Sequence, residues 1–339
     1  MRLPRGVLAL AGVAAVLLSA CGGGSSSASP GTTTLNIAFL PKAVNNPYFD
    51  VAATGGQEAA TELKGTFKQV GPSDATGAAQ IPFIQTLTQQ NVSAIVVSAD
   101  DANAIAPALK QAMAKGIKVV GYDSSPATDA RNVFINQADT KGIGEVQIQM
   151  VCDEIPGCAG DIAILSATST ATNQNAWIDV MKSTLASNPA YSGLHLVKVA
   201  YGNDDPQVST TEAQGLLTAY PNLKGIISPT TVGIAAAAKV LEDTKKAGKV
   251  ALTGLGTPNQ MRAFVKDGTC KEFALWNVKD LGYLAYYTAA LLVQGKIKGT
   301  SGETFTAGRL GSYTIDANTT VLLGKPFVFK ADNIDQLNF

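Results

Sequence analysis

The stretch Phe39-Leu40-Pro41-Lys42-Ala43-Val44-Asn45-Asn46-Pro47-Tyr48-Phe49 decides how the chain folds. It follows a short apolar run, 35–40, and precedes a helix-like run, 50–63. It therefore reads as the turn between a first strand and a first helix. In an open parallel α/β sheet, carboxyl-end turns of this kind are where ligands bind. Lys42, Asn45 and Asn46 offer hydrogen bonds, and Tyr48 and Phe49 offer flat apolar surfaces. Asn and Pro are also ordinary turn residues, so the weight falls on how the later strands end.

Working outward, apolar runs alternate with longer amphipathic ones. Strands are expected over 35–40, 67–70, 94–98, 118–122, 133–135, 161–165, 194–200, 225–228, 250–255 and 272–276. Ile81, Ile84 and Leu87 recur at helical spacing, as do Ile105, Leu109 and Met113. Asp101 reads as the cap of the latter helix and Gly116 as its stop. Strand alternating with helix predicts an α/β protein whose parallel sheets are covered on both faces. Two such units follow one another, bridged by a helix-like segment over 140–151, which predicts two apposed doubly wound lobes. The tail after Gly295 carries short β-like runs, 321–323 and 327–329, expected to finish a sheet or pack at the lobe boundary.

The strand ends repeat the first one. Asp100-Asp101 follows 94–98, and Asp123-Ser124-Ser125 follows 118–122. The strand 161–165 leads to Asn173-Gln174-Asn175-Ala176-Trp177. Pro229-Thr230-Thr231 follows 225–228, Gly256-Thr257-Pro258-Asn259 follows 250–255, and 272–276 ends in Trp276-Asn277. Capping accounts for part of this, Asp101 and Thr231 included. It does not account for Lys42, Tyr48, Phe49 or Trp276. Amides, carboxylates and Lys beside aromatic rings match a neutral polyol, whose hydroxyls take charge-assisted hydrogen bonds and whose C–H faces pack on rings.

Composition limits the alternatives. The 339 residues suit two domains, and 46% hydrophobic with 15% charged residues suits large cores. Formal net charge is zero, so no basic surplus draws in nucleic acid or an anionic membrane. Catalytic constellations are poor. His195 is the only histidine and lies within an expected strand. There is no Gly-x-Ser-x-Gly elbow and no phosphate loop. Asp100 and Asp123 could pair as the acid and base of an exported glycoside hydrolase, the alternative from another class. No cofactor and no metal site is expected.

The N-terminus has the layout of a secretory signal. Arg2 and Arg5 precede an apolar run over 6–18 that is short for a membrane span. Leu18-Ser19-Ala20-Cys21 resembles a bacterial lipobox, which implies cleavage before Cys21 and a lipid on its sulfur. Residues 1–20 would be a lipoprotein signal peptide and 21–32, rich in Gly and Ser, a flexible tether. The expected location is exported and lipid-anchored at the cell membrane. Of the four cysteines, Cys152 and Cys158 flank a Pro-Gly turn that could bring them together. A disulfide suits that compartment; a metal is the alternative, but no histidine is near and the spacing is wrong for zinc. Cys270 reads as a buried thiol.

The chain resembles the type I periplasmic sugar-binding proteins of ABC importers, most of all their rhamnose-binding and autoinducer-2-binding branch. The resemblance spans 35–339. It is carried by Phe39-Leu40-Pro41-Lys42, Tyr122-Asp123-Ser124, Thr172 to Trp177, Ile227-Ser228-Pro229-Thr230-Thr231, Gly256 to Arg262 and Phe273-Ala274-Leu275-Trp276-Asn277. It implies a first lobe of 33–136 plus 276–307 and a second of 137–275 plus 308–339. It also implies a sugar ligand in a cleft that closes, an ABC permease with its ATPase as partners, a monomer, and no nucleic acid. In the autoinducer-2 receptors, ligand contacts fall at positions matching Lys42, Asp123, Asn173, Gln174, Pro229 and Thr231. This chain has Asn173 where that group has Asp, and Thr231 where it has Ala. Such mismatches in a polar pocket cost ~1–3 kcal/mol each and count against autoinducer-2. The stretches Ser228 to Gly233 and Ala171 to Trp177 resemble the rhamnose-binding members more, with autoinducer-2 as the alternative. In ribose-type members the contacts match Asn46, Tyr48 and Phe49, and fall near Trp276. A deoxy sugar's methyl would find an apolar wall at Phe49, Leu275 or Trp276. Sugar-responsive repressors share these lobes but need an N-terminal DNA-binding helix pair, where this chain carries an export signal.

Overall fold

A computed structural model describes residues 34–339. The expected signal peptide, Cys21 and the expected tether lie outside the described residues. The first lobe begins β1 (Asn36–Leu40), α1 (Pro47–Glu62), β2 (Thr66–Gln69), α2 (Gly77–Gln89), β3 (Ala94–Val97), α3 (Ala106–Ala114), β4 (Lys118–Tyr122) and β5 (Val133–Ala138). The chain then crosses into α4 (Thr140–Glu154), β6 (Gly160–Ser166), α5 (Thr172–Ser187), β7 (Leu194–Tyr201), α6 (Pro206–Ala219), β8 (Gly225–Ser228), α7 (Thr231–Asp243), β9 (Ala251–Gly254), α8 (Pro258–Lys266) and β10 (Phe273–Leu275). It returns as α9 (Val278–Val293), β11 (Thr304–Thr306), β12 (Ser312–Thr314), β13 (Thr320–Gly324) and β14 (Phe327–Phe329). Each of the ten expected strands forms, with ends shifted by no more than a few residues.

Two parallel sheets result. The first has the order β13-β5-β4-β3-β1-β2, the second β7-β6-β8-β9. An antiparallel pair, β10 and β14, meets the end of β9 through one parallel bridge, Leu255 to Ala274. Alternate residues of the first sheet face opposite cores. Ile37, Phe39, Val96 and Val120 belong to the core with α1 and α9, whereas Ala38, Leu40, Ile95, Val97 and Val119 belong to the one with α2 and α3. Burial on both faces is why these strands read as continuous apolar runs. Helices α1 and α9 meet backbone to backbone. A Cβ at Gly55 would lie 1.8 Å from the Lys279 carbonyl oxygen, and one at Gly282 1.8 Å from that of Ala52. Only glycine permits this approach.

Three expectations need correction. The tail 308–339 does not all join the second lobe, because β13 runs parallel to β5 and completes the first sheet. Val321 is fully buried there, and the Arg131 guanidinium donates to the main-chain oxygens of Thr319 and Asn318. Without β13, β5 would be an unpaired edge. The third passage between lobes is thus β13 to β14, not the chain near residue 307. Asp101 does not cap α3; its carboxylate accepts from the N–H groups of Asn103 and Ala104 and holds the preceding turn. Nor does Thr231 cap α7: it is the first residue of that helix, and Thr230 is the cap position. Gly116 does end α3, with φ +87.

Candidate ligand-binding site

Both sheets reverse their winding direction inside the strand order. In the first this happens between β1 and β3, in the second between β6 and β8. Loops leaving such neighbouring strands in opposite directions open a crevice at their carboxyl ends. Lys42 and Asn46 follow β1, and Asn173 and Gln174 follow β6, in the first turn of α5. Pro229, Thr230 and Thr231 follow β8, while Asp123 follows β4 and Trp276 follows β10. The two crevices face each other and make one cavity.

All ten residues singled out from sequence line it: Lys42, Asn46, Tyr48, Phe49, Asp123, Asn173, Gln174, Pro229, Thr231 and Trp276. The cavity holds ≈ 350 Å³ of atom-free space, part of it open to solvent. That is room for one small ring rather than for an oligosaccharide.

Asp123 is the hub. Its backbone is left-handed, φ +60, just past β4. This conformation is uncommon outside glycine but tolerated by Asp, and it turns the carboxylate out of the sheet. The Tyr48 hydroxyl donates to Oδ1 at 3.1 Å and the Ser98 hydroxyl to Oδ2 at 2.6 Å. Trp276 Nε1–H donates in turn to the Tyr48 hydroxyl at 3.0 Å. Lys42 Nζ lies 3.7 Å from Asp123 Oδ2, and its side chain is only 4% exposed. A buried pair of this kind holds only with further hydrogen bonds to satisfy it. The second lobe supplies them: Lys42 donates to Asn173 Oδ1 at 3.0 Å, and Asn173 Nδ2 donates to Asp123 Oδ1 at 3.3 Å. These bonds join the lobes across the cleft.

The remaining polar groups are set by local structure. Asn46 caps α1 by accepting from the Tyr48 N–H, which leaves its amide N–H₂ for the cavity. Gln174 Oε1 accepts from the Ser166 hydroxyl and the Ala167 N–H, which leaves its own N–H₂. Tyr48 and Trp276 meet edge to face at 6.2 Å, and Trp177 lies 6.0 Å from Trp276. Burial and the neighbouring Asp123 push the Tyr48 hydroxyl pKa well up, so it remains a donor.

Sequence reasoning missed Trp177, Asp204, Thr230 and Leu255 as lining residues, and gave Leu275 only as one choice of wall. Trp177 was readable, since it stands one helical turn after Asn173 on the same face. Asp204 follows β7, a strand end that deserved the same scrutiny as the others. Asp100, by contrast, is fully buried and does not line the cavity. It cannot work with Asp123 on a bound glycoside, so the acid–base pair of the hydrolase reading is not formed. His195 is exposed on β7, and Cys270 is buried. A disulfide joins Cys152 to Cys158. No helix among the described residues is long and apolar enough to cross a membrane.

The periplasmic binding protein domain model matches residues 37–297. The chain belongs to the periplasmic binding protein family. Members bind solutes outside the cytoplasm, and this one is a binding protein, not an enzyme. A sugar ABC transporter chain from Actinomyces odontolyticus is 50% identical, with 89% of this chain and 97% of that chain covered and a TM-score of 0.71. An ABC transporter solute-binding protein from Clostridium phytofermentas with bound L-rhamnose is 40% identical, with coverages of 90% and 98% and a TM-score of 0.86. LsrB from Clostridium saccharobutylicum in complex with AI-2 shares the fold at 23% identity, with coverages of 89% and 99% and a TM-score of 0.85.

Proposed function

We propose that this periplasmic binding protein is the lipid-anchored sugar receptor of an ABC importer, closing on L-rhamnose or a related deoxy monosaccharide and delivering it to a permease and its ATPase. The carrying observation is the single cavity. Residues from seven strand ends in two lobes converge on a space for one small ring, spanned by the Lys42–Asn173–Asp123 bonds. Lys42, Gln174 and Asn46 donate to ring hydroxyls through the N–H groups that the protein leaves free, and Asp123 holds Lys42 and Tyr48 in place for them. Phe49, Tyr48 and Trp276 pack on the C–H face or the methyl, with Leu275 and Leu255 beside them. Pro229 and Thr231 shape the wall. The 40% identity to a chain that holds L-rhamnose supports the sugar. Cys21 carries the lipid, and the receptor acts as a monomer.

Calorimetric titration with L-rhamnose, D-ribose, D-arabinose and autoinducer-2 tests this, with tryptophan emission followed in parallel. L-Rhamnose is expected to bind most tightly. Binding of autoinducer-2 with no response to any monosaccharide would overturn the sugar. That outcome is the second reading, favoured only by the shared Lys42, Asp123, Gln174 and Pro229. For the anchor, Cys21→Ser is expected to shift the protein from the detergent phase to the aqueous phase on Triton X-114 partition; unchanged partition would remove the lipid.

A further inference from the structure

The loop after β7 carries two consecutive non-glycine residues in the left-handed region, Asn203 at φ +56 and Asp204 at φ +52. Asn and Asp are the residues that tolerate this best, yet two in a row persist only where the flanking backbone is held. It is held here. The N–H groups of Gly202 and Asn203 donate to the carbonyl oxygens of Ser166 and Ala167, at 2.8 and 2.9 Å. On the far side Asp205 caps α6 through the Val208 N–H at 2.7 Å. Asp204 is thereby turned into the cavity, and the Thr230 hydroxyl donates to its Oδ1.

The polar lining divides unevenly. Donors are plentiful, since Lys42 and the amides of Asn46 and Gln174 have N–H groups without a partner among the described residues. Acceptors are mostly taken. Asn46 Oδ1, Asn173 Oδ1 and Gln174 Oε1 each accept from protein, and so do both oxygens of Asp123. Among the described residues no donor reaches Asp204 Oδ2, and Lys42 pairs with Asp123 rather than with Asp204. A bound sugar brings one proton with each hydroxyl oxygen, and each buried proton left without an acceptor is costly.

We propose that Asp204 is a ligand-contacting, specificity-determining residue. Its free oxygen accepts a hydrogen bond from a ligand hydroxyl whose own oxygen accepts from Lys42, so that one hydroxyl bridges the two lobes. Thr230 is a positioning residue that fixes the carboxylate. The ligand class narrows to neutral polyols with a free hydroxyl at that position. Anionic sugars are rejected, because two carboxylates face a single ammonium. The assignment rests on the reading of the cavity as a sugar site.

The test is calorimetry on the full chain and on Asp204→Asn, Asp204→Ala and Thr230→Val, with the four ligands above and with monodeoxy and mono-O-methyl analogues of whichever binds wild type. Asp204→Asn, isosteric and able to keep a bond to Thr230, is expected to lose about 10- to 100-fold in affinity, and Asp204→Ala at least as much. Thr230→Val is expected to lose less. One analogue, altered at the bridging hydroxyl, should bind wild type and Asp204→Asn alike. Affinity within twofold of wild type in Asp204→Ala overturns the assignment. So does an equal loss for every analogue, which would mark a structural role. Wild-type protein that binds none of the four overturns the sugar reading itself, and the assignment with it.

Discussion

The two lobes contribute to the cavity in different ways. The first brings a network already closed on itself: Lys42, Ser98, Tyr48 and Asp123 hold one another, with Trp276 fixing the tyrosine from the crossover. The second brings the start of α5, the start of α7 and one carboxylate on a constrained loop. Its amides reach over to bonds the first lobe has nearly completed. Pre-organised groups lose little freedom when a ligand arrives, so they set affinity. Groups that meet the ligand only after closure set how tightly the lobes stay shut. Under the proposed function, the first lobe offers the docking surface and the second the lock.

The strongest blow to this division is Asp123→Ala. It leaves Lys42 buried without its counter-ion, and breaking such a pair costs about 3–5 kcal/mol. L-Rhamnose affinity should fall at least about 100-fold by calorimetry. Next is the buried acid behind the site. Both Asp100 oxygens lack partners among the described residues, and burial raises its pKa from 3.8 to about 8, against the pull of Lys42. The folded chain holds this proton more tightly than the unfolded one. Its stabilising share is therefore complete below about pH 4 and lost as pH rises through about 8. Urea unfolding at pH 5, 7 and 9 should show stability falling, by at most about 1.4 kcal/mol per pH unit, with a flatter profile in Asp100→Asn. Cys158→Ser should cost about 2 kcal/mol, as expected for a loop this short. Affinity should not change, because the bridge lies where β6 begins and the site where it ends. The smallest effect is expected from Asn173→Ala. It removes the second lobe's bonds and spares the first-lobe network, so affinity should drop only about 10-fold, chiefly through faster release in stopped-flow fluorescence.

What could be read from the residues alone was whatever local pattern encodes. Apolar runs buried on both faces marked the strands, and their polar ends marked where a ligand would sit. The ten lining residues came from those ends together with the family resemblance. Three things were not local. The pairing of β13 with β5 joins positions nearly two hundred residues apart, and nothing within 320–324 names its partner. The left-handed turns at Asp123 and Asp204 decide where two carboxylates point, yet Asp is equally at home as a cap or in an ordinary turn. Finally, Asp101 and Thr231 have the composition of caps, but α3 starts later than the capping pattern suggests, and α7 starts one residue earlier.

The place of β13 also sets an order of events during export. A chain threaded out of the cell from its N-terminus releases the opening strands first, but the sheet they build has no closing strand until residue 324 has emerged. The middle of the chain, 140–254, holds every strand of the other sheet and is free to fold sooner. The lobe that starts first thus stays open until nearly the whole chain is out, and its exposed margin at β5 is the part of the nascent molecule most in need of protection from its neighbours.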